Sequence, residues 1–342
     1  MPHLTAFFDN DMTVSVIIVT LSRPDCVRRC VDHLRAQTRQ PEEVIVVDSS
    51  ANNLTRDVVE GFPGIVYTRN ENGFGRMTAS RNIGLKYAKG DVIAFLDDDA
   101  FAHPGWLENL LATYGDPDVG AVGGRALNHQ PGEERCGVEV IGRLLPNGTH
   151  TGNFGADPGR IVEVDHLMGC NMSFRRDVLA KLGGFREDYP GISGVREDTD
   201  MCLRVRRANF RLLFNPAAAV DHIGAPQMVG RRFDTRYAYY SARNHVVMLA
   251  RNGGPLGRYI IWLAVSSMRE FVRRLGGAVA RLLANAIGTC AGIVSAARLI
   301  GKSGRDPIRH DSEAQELRRT LLRVGSFNAR SAVQDHAEVT TT

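Results

Sequence analysis

Val92-Ile93-Ala94-Phe95-Leu96-Asp97-Asp98-Asp99 sets five apolar residues directly before three carboxylates. The continuous apolar run predicts a strand covered on both faces, as in a parallel sheet. Side chains alternate along a strand, so Asp97 and Asp99 are expected on one side and Asp98 on the other. Two carboxylates on one side suit a hard divalent cation, Mg²⁺, Mn²⁺ or Ca²⁺ rather than zinc, whose remaining ligands are commonly phosphate oxygens. A solvated acidic turn is the competing reading of the same residues.

Upstream the apolar pattern recurs. Val14 to Val19 and Glu43 to Val47 read as strands flanking a helical pattern over Asp25 to Gln37, the alternation of a doubly wound parallel layer. Three polar segments then fall at carboxyl ends of strands, where open α/β sheets bind their ligands: Thr20 to Arg23, Asp48-Ser49-Ser50, and Asp97 to Asp99. A dinucleotide fingerprint needs its glycines just after the first strand, where this chain has Thr20-Leu21-Ser22-Arg23-Pro24; Gly73-x-Gly75 lies too far on, and no P-loop is present. A helix expected over Thr78 to Ala88 carries Arg81, suited to a phosphate or to pairing with Asp97 or Asp98.

The second half contributes Met168 to Arg176, then Leu182-Gly183-Gly184-Phe185, then Arg196-Glu197-Asp198-Thr199-Asp200. Met201, Val205 and Ala208 recur at helical spacing, so the acidic group opens a helix, whose dipole and free amides favour anions. Capping accounts for one or two of these acids; an ionised carboxylate there also has the form a general base requires. Phe210 to Phe214 and Ala217 to Val220 read as two short extended pieces ending at Asp221-His222. His222 suits either a structural hydrogen bond or the nitrogen ligand of a mixed oxygen and nitrogen metal site, which would favour Mn²⁺.

A formal net charge of +4 over 342 residues argues against a general polyanion binder, so no nucleic-acid partner is expected, although arginines crowd Leu203 to Arg281 and suggest phosphate or membrane contacts. The six cysteines show no CxxC pairing, and Met1 to Asn10 lacks a basic segment followed by an apolar one, so a cytoplasmic chain with reduced thiols is expected. Cys26 and Cys30, one helical turn apart without histidine partners, read as packing residues.

Taken in order, Val14 to Thr20 with Arg23, Val46-Val47-Asp48-Ser49-Ser50, Arg81-Asn82-x-Gly84, Phe95 to Asp99, Gly184-Phe185 and Glu197-Asp198 resemble the family 2 glycosyltransferases over about residues 13 to 250. The resemblance implies a GT-A fold, a Rossmann-like doubly wound mixed α/β sheet, and a nucleotide-sugar donor. It implies that Thr20, Arg23 and Asp48 hold base and ribose, that Arg81 lies near the pyrophosphate with Asp97 and Asp98, and that Asp97 and Asp99 form a DxD motif for Mn²⁺ or Mg²⁺. His222 looks like the additional metal ligand of some members. Asp198 matches the catalytic base with Glu197 beside it, and Trp106 matches a residue lining the acceptor site. The chemistry implied is inverting transfer to a hydroxyl, without a covalent enzyme intermediate. Asp48 would accept the N3 proton of uracil or thymine, leaving UDP- and dTDP-sugars, dTDP-rhamnose included, as donors.

The expected organisation is an N-terminal extension over 1–12 and a catalytic domain over 13–250, its nucleotide half about 13–125 and its acceptor half about 126–250. A helical region over 251–325 and a disordered tail over 326–342 follow. Tyr259 to Ile300 is apolar and helical in pattern but interrupted by arginines, with its longest uncharged run, Leu282 to Ala297, short of a membrane span. It reads as basic amphipathic helices on the inner face of the cell membrane, or as helices packed on the catalytic domain or on a second copy. The acceptor is accordingly expected to be a lipid-linked or other glycan of cell-envelope polysaccharide synthesis, or a small molecule. Two other functions fit less well. A sugar-phosphate nucleotidyltransferase requires a glycine-rich loop that is not found near Thr20, and a noncatalytic nucleotide-binding protein leaves the two carboxylate motifs without a role.

Overall fold

The structure, a computed structural model, describes residues 12–73, 77–190, 195–225, 234–273, 279–303 and 311–323. The expected tail and all of the N-terminal extension except Met12 lie outside the described residues, as do Phe74 to Arg76. The first half follows the strand and helix alternation of its sequence: β1 (Val14–Thr20), α1 (Pro24–Arg35), β2 (Glu43–Asp48), α2 (Leu54–Glu60), β3 (Ile65–Arg69), α3 (Met77–Leu85) and β4 (Val92–Asp97). Every residue of β1 is buried, which explains its unbroken apolar composition. Pro24 starts α1, where its fixed φ and missing donor are harmless, and Val27, Cys30, Val31 and Leu34 face the sheet from one side of that helix. Cys30 is therefore a packing residue.

After β4 come β5 (Ala100–Ala102), α4 (Trp106–Ala112), β6 (Val119–Leu127), β7 (Val162–Glu163), β8 (Asn171–Arg175), α5 (Arg176–Leu182), α6 (Glu197–Arg207) and β9 (Arg211–His222). The sheet order is β3-β2-β1-β4-β8-β6-β9-β5, with β7 beside β9. Strands β1 to β4 are mutually parallel, whereas β8 enters antiparallel to both β4 and β6, so the sheet is mixed. The two extended pieces expected around 210–220 are one twelve-residue strand, β9. Its pairing with β6 shifts register between Gly124 and Ala126, where a Cβ on Gly124 would overlap the Ala218 carbonyl. Pro216 to Ala219, between the paired Asn215 and Val220, thus oppose the single Arg125 in a bulge, and the strand continues until His222 stands opposite Ala100 of β5.

Three further helices follow: α7 (Thr235–Asn252), α8 (Leu256–Arg273) and α9 (Val279–Ser303). Asp234 caps α7 by accepting from Tyr237 N at 2.8 Å. On α9, Gly288 and Gly292 bring the backbone against the Tyr239 and Arg243 carbonyls of α7, the close approach that small residues permit. Val246, Leu249, Tyr259 and Ala296 form a second core there. By length and composition alone, Ala280–Ile300 could cross a membrane, a longer stretch than the uncharged run suggested, but α7 occupies one of its faces. A last helix, α10 (312–323), returns to the main core through Leu317 and Leu321, with Arg176 Nη1 donating to the Leu321 carbonyl at 3.2 Å. The helical region after 250 thus packs on α7 through α9 and on the main core through α10.

Candidate active site

Strand β4 stops at Asp97, and Asp98 and Asp99 form a turn into β5. The separation of Asp98 from its neighbours therefore comes from a turn, not from strand alternation, yet it has the expected sense. Asp97, Asp99 and His222 place one potential ligand atom each within 4.8 Å of one another. His222 reaches them because β9 pairs with β5, and Ala225 N donates to Asp99 Oδ2 at 2.7 Å from the segment that follows. His222 Nε2 lies 3.6 Å from Asp99 Oδ1, too far for a hydrogen bond, and Nδ1 is buried without a hydrogen-bond partner among the described residues. Two carboxylates and an imidazole that converge without bonding each other fit a divalent cation.

Asp98 turns the other way. Thr20 Oγ1 donates to it at 2.6 Å and Arg23 Nη1 at 3.0 Å, and Arg23 also stands 3.2 Å from Asp99. Burial pushes Asp98 up to about 7, against the pull of Arg23 and Thr20. Thr20 and Asp98 are both buried and shape the first-strand loop from within, while Arg23 keeps part of its side chain in solvent.

On α3, Arg81 joins the two acidic motifs. Its Nη1 donates to Glu197 Oε1 at 2.9 Å, and its Nη2 lies 3.5 Å from Asp97 and 3.3 Å from the Gly169 carbonyl it faces. The side chain is 1% exposed, so the phosphate contact implied for it gives way to a buried bridge between carboxylates. Asp98, the other carboxylate suited to pair with it, bonds Thr20 and Arg23 instead. Burial, reinforced by the neighbouring Asp198 charge, raises Glu197 to about 8 despite Arg81. Asp198 is less enclosed than Glu197; its Oδ2 accepts from Gly169 N at 3.1 Å and its Oδ1 from Thr199 N at 2.6 Å. A Cβ on Gly169 would come within 2.9 Å of Arg81 Nη2 and 3.3 Å of Asp198 Oδ2, so a side chain there would displace the guanidinium from its place beside Asp198.

Two further expected contacts are corrected. Trp106 is fully buried and its indole N–H donates to Asn171 Oδ1 at 2.9 Å, so it belongs to the core and has no surface to offer an acceptor. Asp48 is likewise fully buried; Oδ1 accepts from Ser50 N at 2.8 Å and from Ser50 Oγ, and Oδ2 from the Tyr67 hydroxyl at 2.9 Å. Its carboxylate folds the loop and is not open to a nucleobase. The half-exposed polar residue at that strand end is Ser49, bonded to Ser80 Oγ at 3.0 Å. Gly169 and Ala225 contribute through backbone N–H groups, which carry no sequence signal of their own.

Comparison with known proteins places this geometry. Residues 15–183 match the family described as Glycosyl transferase family 2. The glucosyl-dolichyl phosphate glucuronosyltransferase of Haloferax volcanii is 32% identical over 223 residues, spanning 62% of this chain and 69% of that protein. The chain belongs to glycosyltransferase family 2. The O-antigen chain rhamnosyltransferase WbaN of Salmonella anatum is 29% identical over 192 residues, 54% of this chain and 58% of that protein. Among solved structures, residues 1–349 of S. aureus TarS superpose with a TM-score of 0.53 at 17% identity, covering 94% of this chain and 92% of that one. The mannosyltransferase PcManGT of Pyrobaculum calidifontis, solved with GDP-Man and Mn²⁺, gives 0.51 at 20% identity over 93% and 87%. These likenesses establish the GT-A fold of the family. The chain is a glycosyltransferase, and the nucleotidyltransferase alternative lapses with the family.

Proposed function

We propose that this chain moves a sugar from a nucleoside-diphosphate donor to a hydroxyl acceptor with inversion at the anomeric carbon. The observation that carries the reading is the buried Arg81 bridge, which holds Asp97 and the Glu197-Asp198 pair in one cluster. Asp97, Asp99 and His222 are the residues that would hold Mn²⁺ or Mg²⁺. When bound, such an ion supplies electrostatic stabilisation to the departing diphosphate. Arg23, half-exposed beside Asp98 and Asp99, adds a fixed positive charge near the same oxygens. Asp198 is the general base: it takes the acceptor's hydroxyl proton as the acceptor oxygen bonds to the anomeric carbon and the bond to the diphosphate oxygen breaks. Glu197, paired with Arg81, keeps the guanidinium in place. Solved structures of this fold contain GDP-Man with Mn²⁺ and UDP with Mn²⁺, which supports a nucleotide with a divalent ion without choosing the base.

The test is a thermal-shift panel of the full chain with UDP, dTDP, GDP and CDP, each with Mn²⁺, Mg²⁺ or EDTA. A ligand that binds only the native state raises the melting temperature, by about 2.7 kcal/mol of stabilisation at a hundred times Kd. A metal-dependent rise with one base is expected, with UDP and dTDP as the first candidates. A melting temperature that no nucleotide moves would overturn the donor site.

For the acceptor we propose a lipid-linked glycan of the cell envelope, reached at the inner face of the cell membrane, with a soluble glycan or small molecule as the alternative. The support is the free face of α8 and α9, which exposes Ile261, Trp262, Leu283, Ile287 and Val294. Arg258, Arg281 and Arg298 are exposed on the same helices, and Glu270 is the single acidic residue from Gly253 to Ser303. That composition suits an anionic bilayer surface. The chain is expected to float with vesicles containing anionic lipid, to float less at high salt, and to ignore zwitterionic ones. No flotation, together with a dimeric mass in solution, would assign the face to a second copy.

A further inference from the structure

Arg196, immediately before α6, sits in the left-handed backbone region at φ 79° and ψ 1°. Residues at the start of a helix usually take the extended region, and a positive φ is uncommon for a side chain other than glycine. The Arg196 carbonyl nevertheless accepts from Asp200 N at 2.9 Å, so this turned residue launches the helix whose first two positions are Glu197 and Asp198. Strained backbone persists only where its surroundings over-determine it. Here they do, through α7: Arg196 Nη2 donates to Ser241 Oγ at 3.0 Å and Nε donates to His245 Nδ1 at 3.2 Å.

The histidine is fixed in turn. With Nδ1 accepting, the proton of the neutral ring belongs on Nε2, which donates to the Gly148 carbonyl at 2.7 Å. His245 is buried between His150, 5.3 Å away centroid to centroid, and Tyr259, 4.3 Å away. Burial, with Arg196 adding to it, pushes His245 down to about 3, which keeps the accepting nitrogen free of a proton. His150 and His166, the next rings in this cluster, are also held neutral chiefly by burial.

We infer that Arg196 and His245 are positioning residues that hold the left-handed turn before α6 and so aim Asp198 at the acceptor hydroxyl. Asp198 itself is anchored from the other side by Gly169 N, so the turn and that amide set the carboxylate from two directions. The inference rests on Asp198 being the base. It assigns α7 a part in the reaction through Arg196, although neither positioning residue touches the carboxylate through a hydrogen bond.

The experiment compares Arg196→Ala, Arg196→Gly and His245→Leu with Asp198→Asn in the full chain, reading kcat, the KM for each substrate, and melting temperature. Glycine takes the left-handed region without a Cβ penalty, so it restores the turn while omitting the guanidinium. Arg196→Ala and His245→Leu are expected to lower kcat about 100-fold, the cost of a small misplacement of a catalytic group, with donor KM nearly unchanged. Arg196→Gly is expected to recover about tenfold of that loss relative to alanine. Equal kcat for the alanine and glycine variants, or full kcat per folded enzyme with only the melting temperature lowered, overturns the inference. Full activity in Asp198→Asn instead overturns the base assignment, whatever the Arg196 variants do.

Discussion

Asp198→Asn is expected to lower kcat by about 10²- to 10⁴-fold, the range a positioned general base contributes, while donor binding and melting temperature stay close to wild type. Asparagine keeps the size of the side chain and one oxygen, which can still accept from Thr199 N or from Gly169 N. What it cannot do is take a proton from the acceptor hydroxyl. The residues proposed for the donor lie on other elements: Arg23 before α1, Asp97 at the end of β4, Asp99 in the turn after it, His222 at the end of β9. A nucleotide should therefore raise the melting temperature of the variant as it does that of the parent. Steady-state transfer and nucleotide thermal shift together check this. Full transfer by a folded Asp198→Asn chain would remove the base from the mechanism.

Asp97→Asn and Asp99→Asn carry the second large effect. Each removes a charge from the three-residue donor group, and a bound divalent ion contributes several kcal/mol to stabilising transition-state charge, so a loss of about 10³-fold in transfer is expected. The two substitutions should also erase the difference between Mn²⁺ and EDTA in the nucleotide thermal shift. Asp98→Asn is the internal control. Asp98 faces Thr20 and Arg23 rather than the donor group and is pushed up to about 7, so its carboxyl is partly protonated near neutrality and asparagine resembles that form. It should keep a metal-dependent shift and lose no more than about tenfold in transfer. If Asp98→Asn matched Asp97→Asn in both readouts, the division of labour within the triple aspartate would be wrong.

The carboxylates were legible in the sequence because strands and helix starts announce themselves locally. Five apolar residues before Asp97, and helical spacing after Asp198, place both motifs at element ends whatever the rest of the chain does. Trp106 and Asp48 misled for a related reason. Each stands near a strand end, where a ligand-facing position and a buried one look alike in one dimension, and each instead satisfies its polar atoms inside the fold. Arg196 gave no signal at all, since its left-handed turn and its hold on α7 arise from packing between segments 45 and 49 residues apart.

The parallel half of the sheet, the order of its polar strand ends and the acidic start of α6 can be read from local sequence alone, because they depend on periods of two and 3.6 residues along neighbouring positions. Tertiary structure decided which charges meet. Arg81 and Glu197 are 116 residues apart, and His222 reaches Asp99 only because β9 continues through a register shift to lie against β5. Such pairings follow from strand order and helix packing, which bring distant segments together to bury apolar surface, and no local pattern encodes the buried charge that results.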